Sequence, residues 1–96
     1  MNPSLQLCLY VAGTSPKSVL ALSNLKKICQ DHIREGYELE VVDLTEDPSQ
    51  AVGYQIQALP TLVRKHPQPV KKVVGDLSNV QEVLVEIGLR PVGHGH

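Results

Sequence analysis

Residues 5–16 read Leu-Gln-Leu-Cys-Leu-Tyr-Val-Ala-Gly-Thr-Ser-Pro, and the stretch splits into the end of one element and the start of another. Leu5, Leu7, Leu9 and Val11 alternate to one side, with Cys8 and Tyr10 on the other. A strand apolar on both faces belongs in the middle of a sheet. Ser15 then offers a side-chain oxygen to cap a helix, and Pro16 takes its first position, where a missing N–H costs nothing. Val19, Leu22, Leu25, Cys29 and Ile33 follow at helical spacing, and Gly36 is expected to end the helix. Glu38–Leu44 reads as a second strand, and strand, helix and strand at this spacing form a right-handed parallel unit.

Downstream, Asp47-Pro48 repeats the pattern of cap and proline and predicts a second helix of about ten residues, weakened by Gly53. Ala58-Leu59-Pro60-Thr61-Leu62 turns into a strand that opens with a proline. Pro60–Lys65 and Val70–Val74 flank the turn Pro67-Gln68-Pro69 as a hairpin. Gly75-Asp76 breaks the chain, and Ser78 with Gln81 forms a capping box ahead of Val80, Val83, Leu84 and Ile87 at helical spacing. Within 77–89, however, Val83, Val85, Ile87 and Leu89 also alternate as a strand does, and β-branched residues favour that state. Residues 90–96 are expected to form a loose tail on a single domain spanning 1–96, with its core at about 5–89. The order βαβαββα is that of an α/β thioredoxin-like domain, and Pro60 falls where such folds hold a cis proline. A disulfide oxidoreductase of this plan carries Cys-x-x-Cys at the first strand-to-helix junction. Here the junction is Ala12-Gly13-Thr14-Ser15. The question becomes what the chain binds.

A chain of 96 residues supports one modest core. The net charge of −1 supplies no basic field for nucleic acid or an acidic membrane. With no Trp or Phe and three Tyr, platforms for stacking single-stranded bases are scarce. No apolar run approaches the roughly 20 residues that span a bilayer, and the first residues lack the plan of a signal peptide, so a cytoplasmic location is expected. Cys8 and Cys29, one in a strand and one in a helix, suggest core thiols rather than a disulfide framework, since a reactive thiol needs exposure and a lowered pKa. His94 and His96 lack the ligand count of a metal site, and neither metal nor cofactor is expected. His32 and His66 read as surface residues, and Tyr10 as a packing residue. Gly13-Thr14-Ser15 ahead of a helix resembles an anion cradle, but no nucleotide-binding pattern surrounds it. Arg64, Lys65, Lys71 and Lys72 gather on the hairpin, while Glu38, Glu40, Asp43, Glu46 and Asp47 gather around the second strand. Two readings stand: a solvated pattern worth little stability, or a polarised face that steers a partner.

Leu9-Tyr10-Val11-Ala12-Gly13, Ala58-Leu59-Pro60-Thr61-Leu62 and Val74-Gly75-Asp76-Leu77-Ser78-Asn79 stand in the order and spacing of the KaiB family, with Pro16, Asp43, Pro48 and the proline-rich turn also matching. The chain resembles that family from about Leu5 to Leu89. The resemblance implies a non-enzymatic regulator that binds the hexameric RecA-type ATPase and kinase KaiC and changes its phosphorylation or turnover. It implies partner contacts at Gln55, Arg64, Lys71 and Lys72. It also implies two folds, a ground-state arrangement that assembles as tetramers and a thioredoxin-like monomer. Such switching needs two packings within a few kcal/mol of each other. The residues implied in that choice are Pro60, Gly75, Asp76, Val85, Glu86 and Gly88, and a free homo-oligomer, dimer or tetramer, is expected.

Departures from the family pattern carry their own implications. Leu20 and Glu40 replace an arginine and a lysine associated with capture of KaiA, which puts a KaiA partner in doubt. Gln55 replaces a lysine of the KaiC-facing surface. Glu86 and Gly88 replace a glycine and an aspartate; Glu86 favours helix, and Gly88 suits a C-terminal stop, which biases the chain toward the thioredoxin-like state. The alternatives from other classes are a thioredoxin-like sensor or adaptor for a signalling kinase, like the N-terminal domain of SasA, and a monothiol oxidoreductase.

Overall fold

The chain folds around a strand that is paired on both sides. The computed structural model describes residues 5–33 and 36–88; Leu89 and the tail 90–96, with His94 and His96, lie outside the described residues. Four strands, β1 (Leu5–Val11), β2 (Tyr37–Asp43), β3 (Thr61–His66) and β4 (Lys71–Val74), form one sheet in the order β2-β1-β3-β4. β1 runs parallel to β2, from Leu5 opposite Tyr37 to Val11 opposite Asp43, and antiparallel to β3. β3 and β4 form the expected antiparallel hairpin. Leu59–Pro60 is cis, as are His66–Pro67 and Gln68–Pro69.

The two faces of β1 lie in two cores. Leu5, Leu7, Leu9 and Val11 pack with residues of α1 (Pro16–His32) and α2 (Val80–Glu86), while Cys8 and Tyr10 pack with Leu44, Val63 and the partly buried Tyr54, Ile56 and Leu59. The alternation seen in the sequence is therefore the partition of the molecule.

Four local expectations need correction. First, the buried stripe of α1 is Ser18, Ala21, Leu25, Ile28 and Cys29, and Val19 is 54 % exposed. Ser18 is drawn inward because its hydroxyl accepts from the Ala12 N–H at 3.0 Å and from the Ser15 hydroxyl at 2.9 Å. Second, α1 ends at His32, with Ile33 extended and its N–H donating to the Cys29 carbonyl; Gly36 lies beyond the end and opens into β2. Third, the ten-residue helix after Asp47 is a single 3-10 turn over Pro48–Ala51, so the order βαβαββα lacks its second α-helix. The Asp47 carboxylate is taken by the Ser49 hydroxyl at 2.6 Å and the Gln50 amide at 3.2 Å, leaving no side-chain cap for the backbone. The chain then reverses at Gln55, φ +55, where the Ile56 N–H donates to the Ala51 carbonyl, and this reversal lays Tyr54 and Ile56 on the sheet. Fourth, the cap of α2 is Asn79, whose side-chain oxygen accepts from the Glu82 N–H at 3.1 Å. Ser78 instead donates its N–H to the Asp76 carboxylate.

In the segment with two periodicities, the helical one holds. Val83, Leu84 and Ile87 are buried while Val85 is 70 % exposed. Gly88, at φ +81, follows in the left-handed conformation that stops a helix at little cost to glycine.

Candidate partner-binding surface

At the strand-to-helix junction, the donors of Ala12, Gly13 and Ser15 are consumed internally. The Asp43 carboxylate at the end of β2 accepts from the Gly13 N–H at 2.9 Å, the Thr45 N–H at 2.9 Å and the Thr45 hydroxyl at 2.6 Å. Ser15 caps α1 by accepting from the Ser18 N–H. An anion cradle at Gly13-Thr14-Ser15 is thus replaced by a carboxylate bridge that ties the two parallel strands' ends together. Gly13 sits at φ +55, a conformation that glycine adopts freely.

The Thr45 hydroxyl, then the Thr45 N–H, hold the Asp43 carboxyl below its ordinary pKa. The unfolded chain therefore binds this proton more readily than the folded one. The stabilisation is present above the ordinary carboxylate pKa and is lost as pH falls through the lowered folded value. Asp43→Asn is expected to lower the melting temperature modestly at pH 7 and to flatten the acid limb, its curve converging on that of the unsubstituted protein as pH falls below the ordinary carboxylate range. Thermal denaturation across pH 3–7 checks this; parallel curves would refute it.

Both cysteines are fully buried. Burial pushes the Cys8 thiol up and the Cys29 thiol up to about 11, which opposes the thiolate that redox exchange requires. Among the described residues, no group of three or more His, Cys, Asp or Glu is placed to hold a metal ion.

The four cations of the hairpin do not form one cluster. Arg64 is 7 % exposed and turns into the α2 side, where it donates from Nη1 to the Ile87 carbonyl at 2.8 Å and from Nη2 to the Pro69 carbonyl at 2.7 Å. This corrects its assignment to an exposed face: the alternation of β3 puts Arg64 on the side of Leu62, and the end of α2 offers carbonyls there. Lys65 lies on the other face, 3.5 Å from Glu40 and with its ammonium 5.4 Å from the centre of the Tyr54 ring. Lys72 sits on that face too, donating to the Tyr54 carbonyl at 3.0 Å and the Gln55 carbonyl at 3.5 Å. Lys71, opposite Arg64 in the register, is exposed.

Gln55, Lys65 and Lys72 are thereby gathered around Tyr54, a residue not among those the sequence singles out for partner contact. Tyr54 also meets Tyr10, ring centres 6.5 Å apart and tilted by 45°. Its only sequence signal was its isolation as an aromatic residue in a polar, glycine-containing stretch. The residues expected to govern the fold lie apart from this surface in two groups. The Gly75 N–H donates to the Pro60 carbonyl, with Asp76 beside it accepting through its carbonyl from the Asn24 side chain. Gly88 abuts Arg64 so closely that a Cβ there would lie 2.6 Å from Nη1. Val85 and Glu86 are exposed on α2.

The KaiB domain family matches residues 8–89 of the chain. The circadian clock protein KaiB3 of Synechocystis sp. is 36 % identical over 87 residues, covering 91 % of this chain and 85 % of that protein. The circadian clock oscillator protein KaiB of Rippkaea orientalis is 45 % identical over 83 residues, covering 86 % and 80 %. Among solved structures, the N-terminal domain of Synechococcus elongatus SasA superposes with a TM-score of 0.73 at 23 % identity, covering 88 % of this chain and 83 % of that one. Mitochondrial thioredoxin 3 of Saccharomyces cerevisiae gives 0.70 at 19 %, covering 88 % and 77 %. At these identities the structural likeness establishes the thioredoxin-like fold.

Proposed function

This chain belongs to the KaiB family, and from that premise we propose that it is a non-enzymatic regulator that binds a KaiC-like hexameric RecA-type ATPase and modulates its phosphorylation or ATPase cycle. The observation that carries the reading is a thioredoxin-like frame whose reactive corner is Ala12-Gly13-Thr14-Ser15, sealed by the Asp43 carboxylate. What the frame presents instead is a surface: the 52–58 turn with Gln55, and the hairpin with Lys71. An exposed cation beside polar backbone suits steering and register more than tight burial. The departures at Leu20 and Glu40 leave KaiA outside the partners proposed.

Size exclusion with light scattering tests this directly. The chain is run alone and with the KaiC homologue of the same genome plus nucleotide. A complex larger than the free ring is expected, and unchanged elution of both proteins would overturn the reading. Replacing Cys8 and Cys29 by alanine is expected to leave complex formation intact; loss of binding in a folded variant would return the thiols to consideration.

A further inference from the structure

The neighbouring lysines of β4 look equivalent in sequence and are not equivalent in the fold. Lys71 pairs in register with Arg64 and Lys72 with Val63, so the two side chains leave opposite faces of the strand. Lys71 is exposed beside the α2 side of the sheet. Lys72, exposed as well, lies on the side of Tyr10 and Val63 and donates to two successive carbonyls of the 52–56 turn, those of Tyr54 and Gln55.

That turn has few other ties. It follows a 3-10 segment of only four residues, Pro48–Ala51, and contains the left-handed Gln55. Val52, Gly53 and Gln55 are exposed. Its own backbone bonds are those of single turns, Gln55 N–H to the Val52 carbonyl at 3.3 Å and Ile56 N–H to the Ala51 carbonyl at 3.1 Å. Against this background, the exposed Lys72 ammonium, 3.0 Å from the Tyr54 carbonyl and 3.5 Å from that of Gln55, ties the turn to β4 chiefly through its bond to Tyr54, which is charge-assisted. Lys65, on the same face, lies with its ammonium 5.4 Å from the centre of the Tyr54 ring and adds a second contact to the turn.

We propose that Lys72 is a positioning residue for partner binding: it fixes the turn that displays Gln55, while Lys71, on the opposite face of β4, supplies the charge that a partner meets. The inference rests on the surface assignment of the preceding section. An ammonium suits the role because it is compact, carries three donors and keeps its charge while bonding neutral carbonyls.

The test compares Lys72→Met with Lys71→Met, which make the same charge change one residue apart, and adds Lys72→Arg, which keeps donors at the site. Backbone amide exchange in the free protein is read over 52–57, and association and dissociation rates are measured with the KaiC homologue at two salt concentrations. In K72M, exchange over 52–57 is expected to rise about tenfold. Dissociation is expected to quicken by a similar factor. In K71M, exchange is expected to stay unchanged, while association slows and loses part of its salt dependence. K72R is expected to restore most of the protection.

Unchanged exchange in K72M overturns the inference. So does raised exchange with the dissociation rate of the unsubstituted protein. If the unsubstituted chain forms no complex, the functional reading fails, while exchange still decides whether Lys72 fixes the turn.

Discussion

Arg64→Ala is expected to lower the stability of the protein by about 2–4 kcal/mol. The guanidinium bridges the end of α2 and the turn of the hairpin through the carbonyls of Ile87 and Pro69, and it is 7 % exposed. Truncation leaves both carbonyls without that donor and opens a space under the helix end. A discount applies, because removing a buried charge whose Nε has no partner returns part of its desolvation cost. For a domain of this size the net loss corresponds to a fall of roughly 10–25 °C in melting temperature. Arg64→Lys, with one ammonium in place of the fork, should fall between, since it reaches one carbonyl well and the other poorly. Calorimetry or thermal circular dichroism decides. If Arg64 served the exposed surface instead, alanine would leave the melting temperature unchanged and weaken only partner binding.

The double substitution Glu86→Gly with Gly88→Asp, which installs the residues that the family pattern gives those positions, is expected to cost α2 about 2–4 kcal/mol. Glu86 is the last residue of the helix, and glycine there removes several tenths of a kcal/mol or more of helix preference. Position 88 contributes more. Its φ of +81 is strained for any side chain, and a Cβ would lie 2.6 Å from Arg64 Nη1, so the guanidinium has to shift from its position at the Ile87 carbonyl. At about 1.4 kcal/mol per factor of ten, the thioredoxin-like arrangement loses a factor of roughly 30 to 700 against whatever competes with it. Light scattering and far-ultraviolet circular dichroism, measured together, report the outcome. A larger species with reduced helix content is expected, consistent with the ground-state assembly implied by the family. A monomer that melts at the original temperature would remove positions 86 and 88 from the balance.

The parts of this fold that were legible share a property: one residue type at one position decides them. Cys8 and Tyr10 set between Leu7 and Leu9 required a strand with two apolar environments, and β1 has them. Ser15-Pro16 required a helix start, and α1 starts there. What escaped depended on competition among neighbours. Asp47 is a cap by composition, yet Ser49 and Gln50 reach its carboxylate before the backbone does. Ser78 and Asn79 are both good caps, and Asp76 decides between them by taking the Ser78 N–H. Segment 77–89 was undecidable by period alone, because valine at 83 and 85 fits either state; contacts of Ile87 and Leu84 with the sheet's core resolve it. The candidate surface was legible as a set of residue types and not as an arrangement. Lys71 and Lys72 differ only by the face of β4, and the distinction between Arg64 and Lys65 rests on the same alternation in β3. A strand whose register is unknown does not reveal which of two adjacent cations is outside.

β1 is shared property. Seven residue pairs join it to β2 and five to β3. The strand order makes the β1–β3 seam the ladder by which the sheet's N-terminal portion, β2 and β1, is joined to its C-terminal portion, β3 and β4. Any rearrangement of the later half alone would have to open that five-pair seam, give up the Asn24–Asp76 and Lys65–Glu40 contacts and free α2 from the core, while the earlier strand, helix and strand stayed closed. The chain carries its own parting line.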